Sequence, residues 1–175
     1  MYTAGDSFPN YINAVYCTDR DQWRVTYSLY YQHDGALSEG HKHDWESATV
    51  VWGRRADKAD WWHREQLVLS QHGGSKTFKW EDTQNVNDAT DQDESTGKYR
   101  RHPKVYVGFF KHANFPNKKT NINVFSAVSP QDEFRSRDWY YMPNMGDMRP
   151  ASDISASWNY GDATSTPAKI NPCSI

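Results

Sequence analysis

No stretch of these 175 residues is long and apolar enough to cross a membrane as a helix, and the mean hydropathy is strongly negative. Nor is there an excess of basic residues. The formal net charge is −2 and the pI about 6.4, which argues against nucleic acid as a partner of the whole protein. Cysteine is scarce. Cys17 and Cys173 lie near opposite ends, and they either close one disulfide in an oxidising compartment or stay as two thiols. Met1-Tyr2-Thr3-Ala4 has neither the basic start nor the apolar centre of a signal peptide. The expectation is a mature or trimmed chain, or one not exported by the usual route. No repeat and no linker divides the sequence, and its length suits one domain over residues 1–175 with its own core.

Aromatic residues, by contrast, are abundant: 15% of the chain, with 8 Trp and 11 Tyr. They favour strands, and Trp and Tyr also suit membrane interfaces and sugar faces. From Trp23 to Gln32, Val25, Tyr27, Leu29 and Tyr31 alternate with Thr26, Ser28 and Tyr30, as in a strand. His33-Asp34-Gly35 and Glu39-Gly40 are turn signals. Further strands are expected over Trp45 to Trp52, Gln66 to Ser70, Lys104 to Phe110 and Asn121 to Val128. His72-Gly73-Gly74-Ser75 reads as flexible, and the acidic stretch from about Trp80 to Arg101 as a long surface loop whose spacing does not fit an EF-hand. Helical signals are few. Ser129-Pro130, with Asp132 in the first turn, starts a helix towards Trp139, and Asp57 to Glu65 suits a short one. The tail from Ala151 reads as ordered loop or short strands. Many short strands and few helices imply a mainly β fold, an antiparallel β-sandwich.

The densest chemistry is Gly40-His41-Lys42-His43-Asp44-Trp45-Glu46, which runs into the apolar strand Ser47 to Trp52. Side chains alternate along a strand, so Asp44 and Glu46 share one face while Trp45 points to the core. The turn at Gly40 can bring His41 beside them. Asp34 ends the preceding strand, and a hairpin-like connection returns its carboxylate to the same rim. Three carboxylates around one point repel, and a divalent cation relieves that. An oxygen-rich set with one nitrogen favours Mg²⁺ or Ca²⁺, although His41-x-His43 also permits zinc. His43 shares a face with Trp45, which favours a supporting hydrogen bond over direct ligation. The alternative is a salt-bridge network of these acids with Lys42, Arg54 or Arg55. His72, before two glycines, and His112, after Phe109-Phe110, are candidate site residues, though a lone histidine is more often structural or exposed.

The heptad resembles the Gly-His-Arg-His-Asp-Trp-Glu signature of the necrosis- and ethylene-inducing peptide-like proteins, with Lys42 in place of Arg. Tyr27 to Asp34 resembles that family's aromatic strand ending in a metal-binding Asp. Ser70-Gln71-His72-Gly73, Lys111-His112-Ala113 and Gly161-Asp162-Ala163 resemble three further segments, so the likeness runs over most of the chain from about Ala14. The gap from Asp34 to Gly40 is about one residue shorter than the family's, and its early cysteine pair has no evident counterpart.

The resemblance implies a β-sandwich like those of actinoporins and fungal lectins. It implies a divalent cation, Mg²⁺ or Ca²⁺, held by Asp34, His41, Asp44 and Glu46, in a cleft with His43, His72, His112 and Phe110. It implies a secreted, extracellular toxin, monomeric in solution, that contacts the plant plasma membrane peripherally. The toxin would bind glycosylinositol phosphorylceramide sphingolipids there and cause leakage, necrosis and ethylene production without acting as an enzyme. Family members without cytolytic activity exist. The rival readings are a metal-dependent hydrolase with Glu46 as base and His41 and His43 as ligands, and a glycan-binding or immune-eliciting module that makes no pores.

Overall fold

The computed structural model describes residues 3–4, 7–34, 40–71, 74–87, 101–108, 112–117 and 139–175. In chain order the strands are β1 (Thr3–Ala4), β2 (Asn10–Cys17), β3 (Gln22–Asp34), β4 (His41–Arg55), β5 (Lys58–Gln71), β6 (Gly74–Lys79), β7 (Asn85–Val86), β8 (His102–Pro103), β9 (Tyr106–Val107), β10 (Asn114–Phe115), β11 (Trp139–Tyr140) and β12 (Met148–Pro150). Helical structure among the described residues is limited to three-residue 3-10 turns at Trp80–Asp82, Ala151–Asp153 and Pro172–Ser174. The expected mainly β, antiparallel-dominated fold is what forms.

One six-stranded sheet, in the order β12-β2-β3-β4-β5-β6, organises the molecule. Its neighbours are antiparallel except β12, which runs parallel to β2. Consecutive strands are joined by short connections, so most pairings close cheaply in chain entropy. The register lines up two apolar rows, Tyr27–Ala48–Leu69 and Val25–Val50–Leu67–Phe78. Val50, Leu67, Leu69 and the buried Trp80 form the core on that face, flanked by Trp52 and Val105. Each fully buried Leu there stabilises the fold by roughly 1.5–3 kcal/mol.

The opposite face is also covered, so alternation in β3 does not follow the simple rule of polar residues facing water. Arg24, Thr26 and Ser28 are buried. Thr26 and Thr49 share a 2.8 Å hydroxyl hydrogen bond, and the Arg24 guanidinium donates to the Pro172 carbonyl at 3.0 Å. The C-terminal tail therefore lies over this face. A second core cluster, Trp45 with Ile154 and Ala163, joins tail and sheet and takes in Tyr11, Tyr30 and Tyr160. Cys17 and Cys173 form a disulfide with Cα atoms 5.5 Å apart, which decides between the two readings of the cysteines.

Several sequence expectations change. Residues 57–65 are not a helix: a two-residue turn at Ala56 and Asp57 joins Arg55 to Lys58, and the chain continues as β5 along β4. Trp61 and Trp62 are aromatic strand formers, and Asp57 accepts two hydrogen bonds from the Arg55 guanidinium at 2.9 and 2.7 Å. The 66–70 strand is thus the end of a 14-residue strand. Trp80, read as the start of a surface loop, is buried, and the two ends of that stretch are clipped together by β7 and β8. Residues 88–100, the expected 121–128 strand and the 129–138 part of the expected helix lie outside the described residues, while Trp139 is in β11, paired with β1. β2, centred on Tyr11 to Tyr16, was not anticipated.

Candidate metal centre

The β3–β4 ladder builds the site. Its register sets Leu29 opposite Glu46, Tyr31 opposite Asp44, and Asp34 opposite His41 at the open end. Gly40, with φ of 117°, leads into β4 through backbone that favours glycine. His43 has a left-handed φ of 63°, uncommon for a residue with a side chain. This kink interrupts regular alternation at the start of β4, and Asp44, Trp45 and Glu46 are all buried in succession.

Asp34 sits between two imidazoles. Its Oδ2 lies 3.4 Å from His41 Nε2, and its Oδ1 lies 3.1 Å from His112 Nδ1. Asp44 closes the group, with Oδ2 3.8 Å from His112 Nδ1 and Oδ1 accepting from the Trp45 backbone N–H at 2.9 Å. Asp34, Asp44 and His112 are all buried, and one ligand atom from each lies within 4.8 Å of the others. Among the described residues, neither Asp44 Oδ2 nor His112 Nδ1 has a hydrogen bond. Such atoms, buried and facing like-charged or lone-pair neighbours, are expensive to leave unmatched.

Glu46 is buried beside this trio, where Ser70 Oγ donates to its Oε2. Burial pushes its carboxyl up to about 8; Ser70 opposes the rise, and Asp44 and Asp34 add to it. The Asp44 carboxyl is raised in the same direction, first by burial and then by Asp34, against the pull of His112, the Trp45 N–H and His41. Carboxylates whose ionisation is this costly are what a bound cation stabilises. The donor set therefore fits a metal ion, with Asp34, Asp44 and His112 as its nearest ligands, His41 adjoining through Asp34, and Glu46 one step away.

His112 is held from several sides. Its ring stacks on Tyr31 with centroids 4.0 Å apart and planes 9° from parallel. Burial, then Glu46 and Asp44, drives the Tyr31 phenol pKa up. The segment carrying His112, itself at φ of 44°, is tied back at Gly108 N–H to Ala113 O, 2.8 Å. A Cβ on Gly108 would press on the Phe115 ring at 3.1 Å. The fully buried Asn114 side-chain amide donates to Ser47 O at 3.1 Å and to Ser70 Oγ at 3.4 Å, and the Asn114 backbone carbonyl accepts from Gln71 Nε2 at 2.8 Å. Ser70 and Gln71, noted from sequence only as part of a resembling segment, and Asn114, not noted at all, thus anchor the His112 segment to the sheet.

The other sequence candidates divide. His43 turns away from the acids: its Nδ1 meets the Tyr30 hydroxyl at 2.5 Å, and its ring packs against both Tyr30 and Tyr160. Trp45 faces the tail cluster. Arg54 and Arg55 pair with Asp21 and Asp57 far from the site, which removes them from any network with its acids. His72 and Phe110 lie outside the described residues.

The model of the family described as "Necrosis inducing protein (NPP1)" matches residues 13–141. That span contains Asp34, His41, Asp44, Glu46 and His112. Solved structures similar to the chain include NLPPya in complex with glucosamine, at 16% identity over 89% of this chain, and NLPPya in complex with mannosamine, at 17% over 89%. Another is the non-toxic HaNLP3 protein, at 18% over 90%. Each gives a TM-score of 0.46, and the chain spans 60% of the length of each. No curated protein sequence matches it significantly. With the family model covering most of the chain and every residue of the carboxylate–imidazole cluster, the protein belongs to the necrosis-inducing protein family.

Proposed function

We propose that this protein is a secreted, cation-dependent cytolysin that binds glycosylated sphingolipid, glycosylinositol phosphorylceramide, of the plant plasma membrane. It contacts the bilayer peripherally, as a monomer before binding, and makes the membrane leak without breaking a covalent bond. The observation that carries this reading is the buried Asp34–Asp44–His112 group with His41 against it, in a chain of the necrosis-inducing family. The disulfide suits an oxidising compartment, which supports export.

In this reading Asp34, Asp44 and His112 hold the cation, with His41 or Glu46 completing the set. With Glu46 in the set, three carboxylates outweigh one imidazole and favour Mg²⁺ or Ca²⁺; with His41 in its place the second imidazole shifts the preference towards zinc. A hard ion so held supplies an electrostatic anchor for sugar hydroxyls or a phosphate. The chain's own residues do the rest. Tyr31 keeps the His112 ring in one plane, Asn114 and Ser70 lock that segment to β4 and β5, and the three acids disfavour anionic surfaces in general. Recognition then needs both the ion and a sugar head group.

The decisive experiment is dye release from vesicles made with plant glycosylated sphingolipid. Leakage should require divalent cation, and chelator or Asp44→Ala should stop it. Leakage that survives chelation removes the ion from the mechanism. Binding without leakage moves the protein to the glycan-binding or eliciting class. A hydrolytic reading draws on Glu46, whose carboxyl near pKa 8 is poised for acid–base work. Cleaved head groups among the recovered lipids would establish it and overturn the non-covalent mechanism.

A further inference from the structure

A second polar site lies at the other end of β4. Across the β4–β5 ladder, Val51 pairs with Gln66 but Trp52 pairs with Arg64, so Glu65 is the extra residue of a bulge. Bulges re-aim side chains. Here Arg64 is laid on Trp52, its guanidinium carbon 4.5 Å from the ring centre, and faces Trp80 at 5.5 Å. Aromatic contact on its faces leaves the N–H edge of the guanidinium to find acceptors. Among the described residues Arg64 has neither a carboxylate partner nor a hydrogen bond. Burial lowers its pKa, Tyr27 opposes that, and the charge of Arg101 lowers it further. His102, on β8, is lowered by burial and then by Arg64 and Arg101. Positive charge is thus crowded where solvent is partly excluded, the reverse of the situation at the acidic centre.

Arg64 also lines a cavity of about 400 Å³, together with Gln66, Lys79, Trp80, Glu65 and Glu81. That volume accommodates a small organic ligand. The Glu65 carboxylate is turned towards β3 and β4: it accepts from Gln22 Nε2 at 3.0 Å and lies over Gly53, where a Cβ would meet it at 2.5 Å. Glu81, exposed, lines the cavity as well. From Glu46 to Trp52 is six residues along β4, roughly 20 Å at strand rise, so this cavity is separate from the acidic centre.

We infer that the Arg64 cavity binds an oxyanion, the phosphate or carboxylate of a sugar-sized ligand, through the guanidinium edge of Arg64 and the ammonium of Lys79, which lines the same cavity. The planar fork of arginine matches both groups, and the two indoles hold Arg64 in place before the ligand arrives.

The test follows the arginine Nε–H resonances and tryptophan fluorescence of the full chain at constant ionic strength. Inorganic phosphate, a hexose 6-phosphate, a hexuronate and a neutral hexose are added in turn. Saturation is expected with the hexose 6-phosphate or the hexuronate and not with the neutral hexose; which of the two saturates identifies the anion, and inorganic phosphate alone should bind more weakly. Arg64→Gln and Lys79→Gln should each weaken binding at least tenfold, while Asp44→Asn and chelator leave it unchanged. If Arg64→Gln fails to fold, Lys79→Gln, at an exposed residue, decides. Absence of saturation with every anion overturns the inference. So does affinity that survives both Arg64→Gln and Lys79→Gln, or affinity lost with Asp44→Asn.

Discussion

His41 presents a lone pair to Asp34. Its Nδ1 lies 2.8 Å from the His43 carbonyl, which can only accept, so in the neutral ring Nδ1 carries the proton and Nε2 does not. That bare Nε2 is the atom 3.4 Å from Asp34 Oδ2. A lone pair and a carboxylate at this distance repel unless a proton or a cation lies between them. Backbone carbonyls fix metal-ligand histidines in the same manner. The kink at His43 thus has a use, because it turns the carbonyl that orients His41.

Divalent cation should bind the chelator-treated protein with one-site stoichiometry in calorimetric titration. Asp34→Asn and Asp44→Asn should each weaken binding at least tenfold, about 1.4 kcal/mol or more. His112→Ala should weaken it too, since His112 touches both acids. Titration curves that superimpose on wild type for both Asp variants would dismiss the site.

Stability of the metal-free protein should fall as pH rises. Glu46 has a folded pKa of about 8 against 4.5 in the unfolded chain. The folded state therefore binds more protons than the unfolded one between those values, and stability declines across that window. Asp44 acts in the same direction. The melting midpoint with chelator should be higher near pH 5 than near pH 8, and Glu46→Gln should flatten the slope. Added cation should raise the midpoint most at the alkaline end, where protons no longer compete. A midpoint independent of pH in the chelated wild type would contradict the raised Glu46 carboxyl.

Trp45→Ala should destabilise the fold by about 3–5 kcal/mol in denaturant melts. The ring is 2% exposed and meets Tyr11, Tyr30 and Tyr160 at 5.1–5.5 Å between centroids. Cation affinity should change far less than with Asp44→Asn, since Trp45 faces the tail and not the acids. An unaltered midpoint would place Trp45 outside the core.

Reduction, or Cys17→Ser with Cys173→Ser, should cost several kcal/mol, on the order of 4–5 by loop-closure entropy for so long a loop. The crosslink spans 156 residues. The tail should loosen first, exposing Arg24 and Thr26, which would be seen as faster amide exchange in β2 and β3. Equal exchange in oxidised and reduced protein would deny the tail its role as a cover.

Much of this was legible in the sequence, for reasons that particular residues make clear. Asp34, Asp44 and the β3–β4 hairpin could be read because strand period and turn signals act over a few residues. The short helix over 57–65 failed because Trp61 and Trp62 and the ladder with β4 outweighed weak local helical preference. His112 was visible as a candidate, but its contact with Asp34 and Asp44 depends on Asn114, Ser70 and Gln71 bonding across three segments, which no local pattern encodes. Burial of Arg24, Thr26 and Ser28 was hidden likewise, since only the tail, about 150 residues later, makes that face an interior.

The pairing of Cys17 with Cys173 makes a covalent ring of nearly the whole chain. A protease that cuts once anywhere inside that ring separates no fragment from the rest. The nicked protein would still migrate as one species without reductant and as two with it. For a protein proposed to work outside the cell, a host enzyme would need two cuts, or one cut and a reducing partner, before any piece of the sheet could drift away.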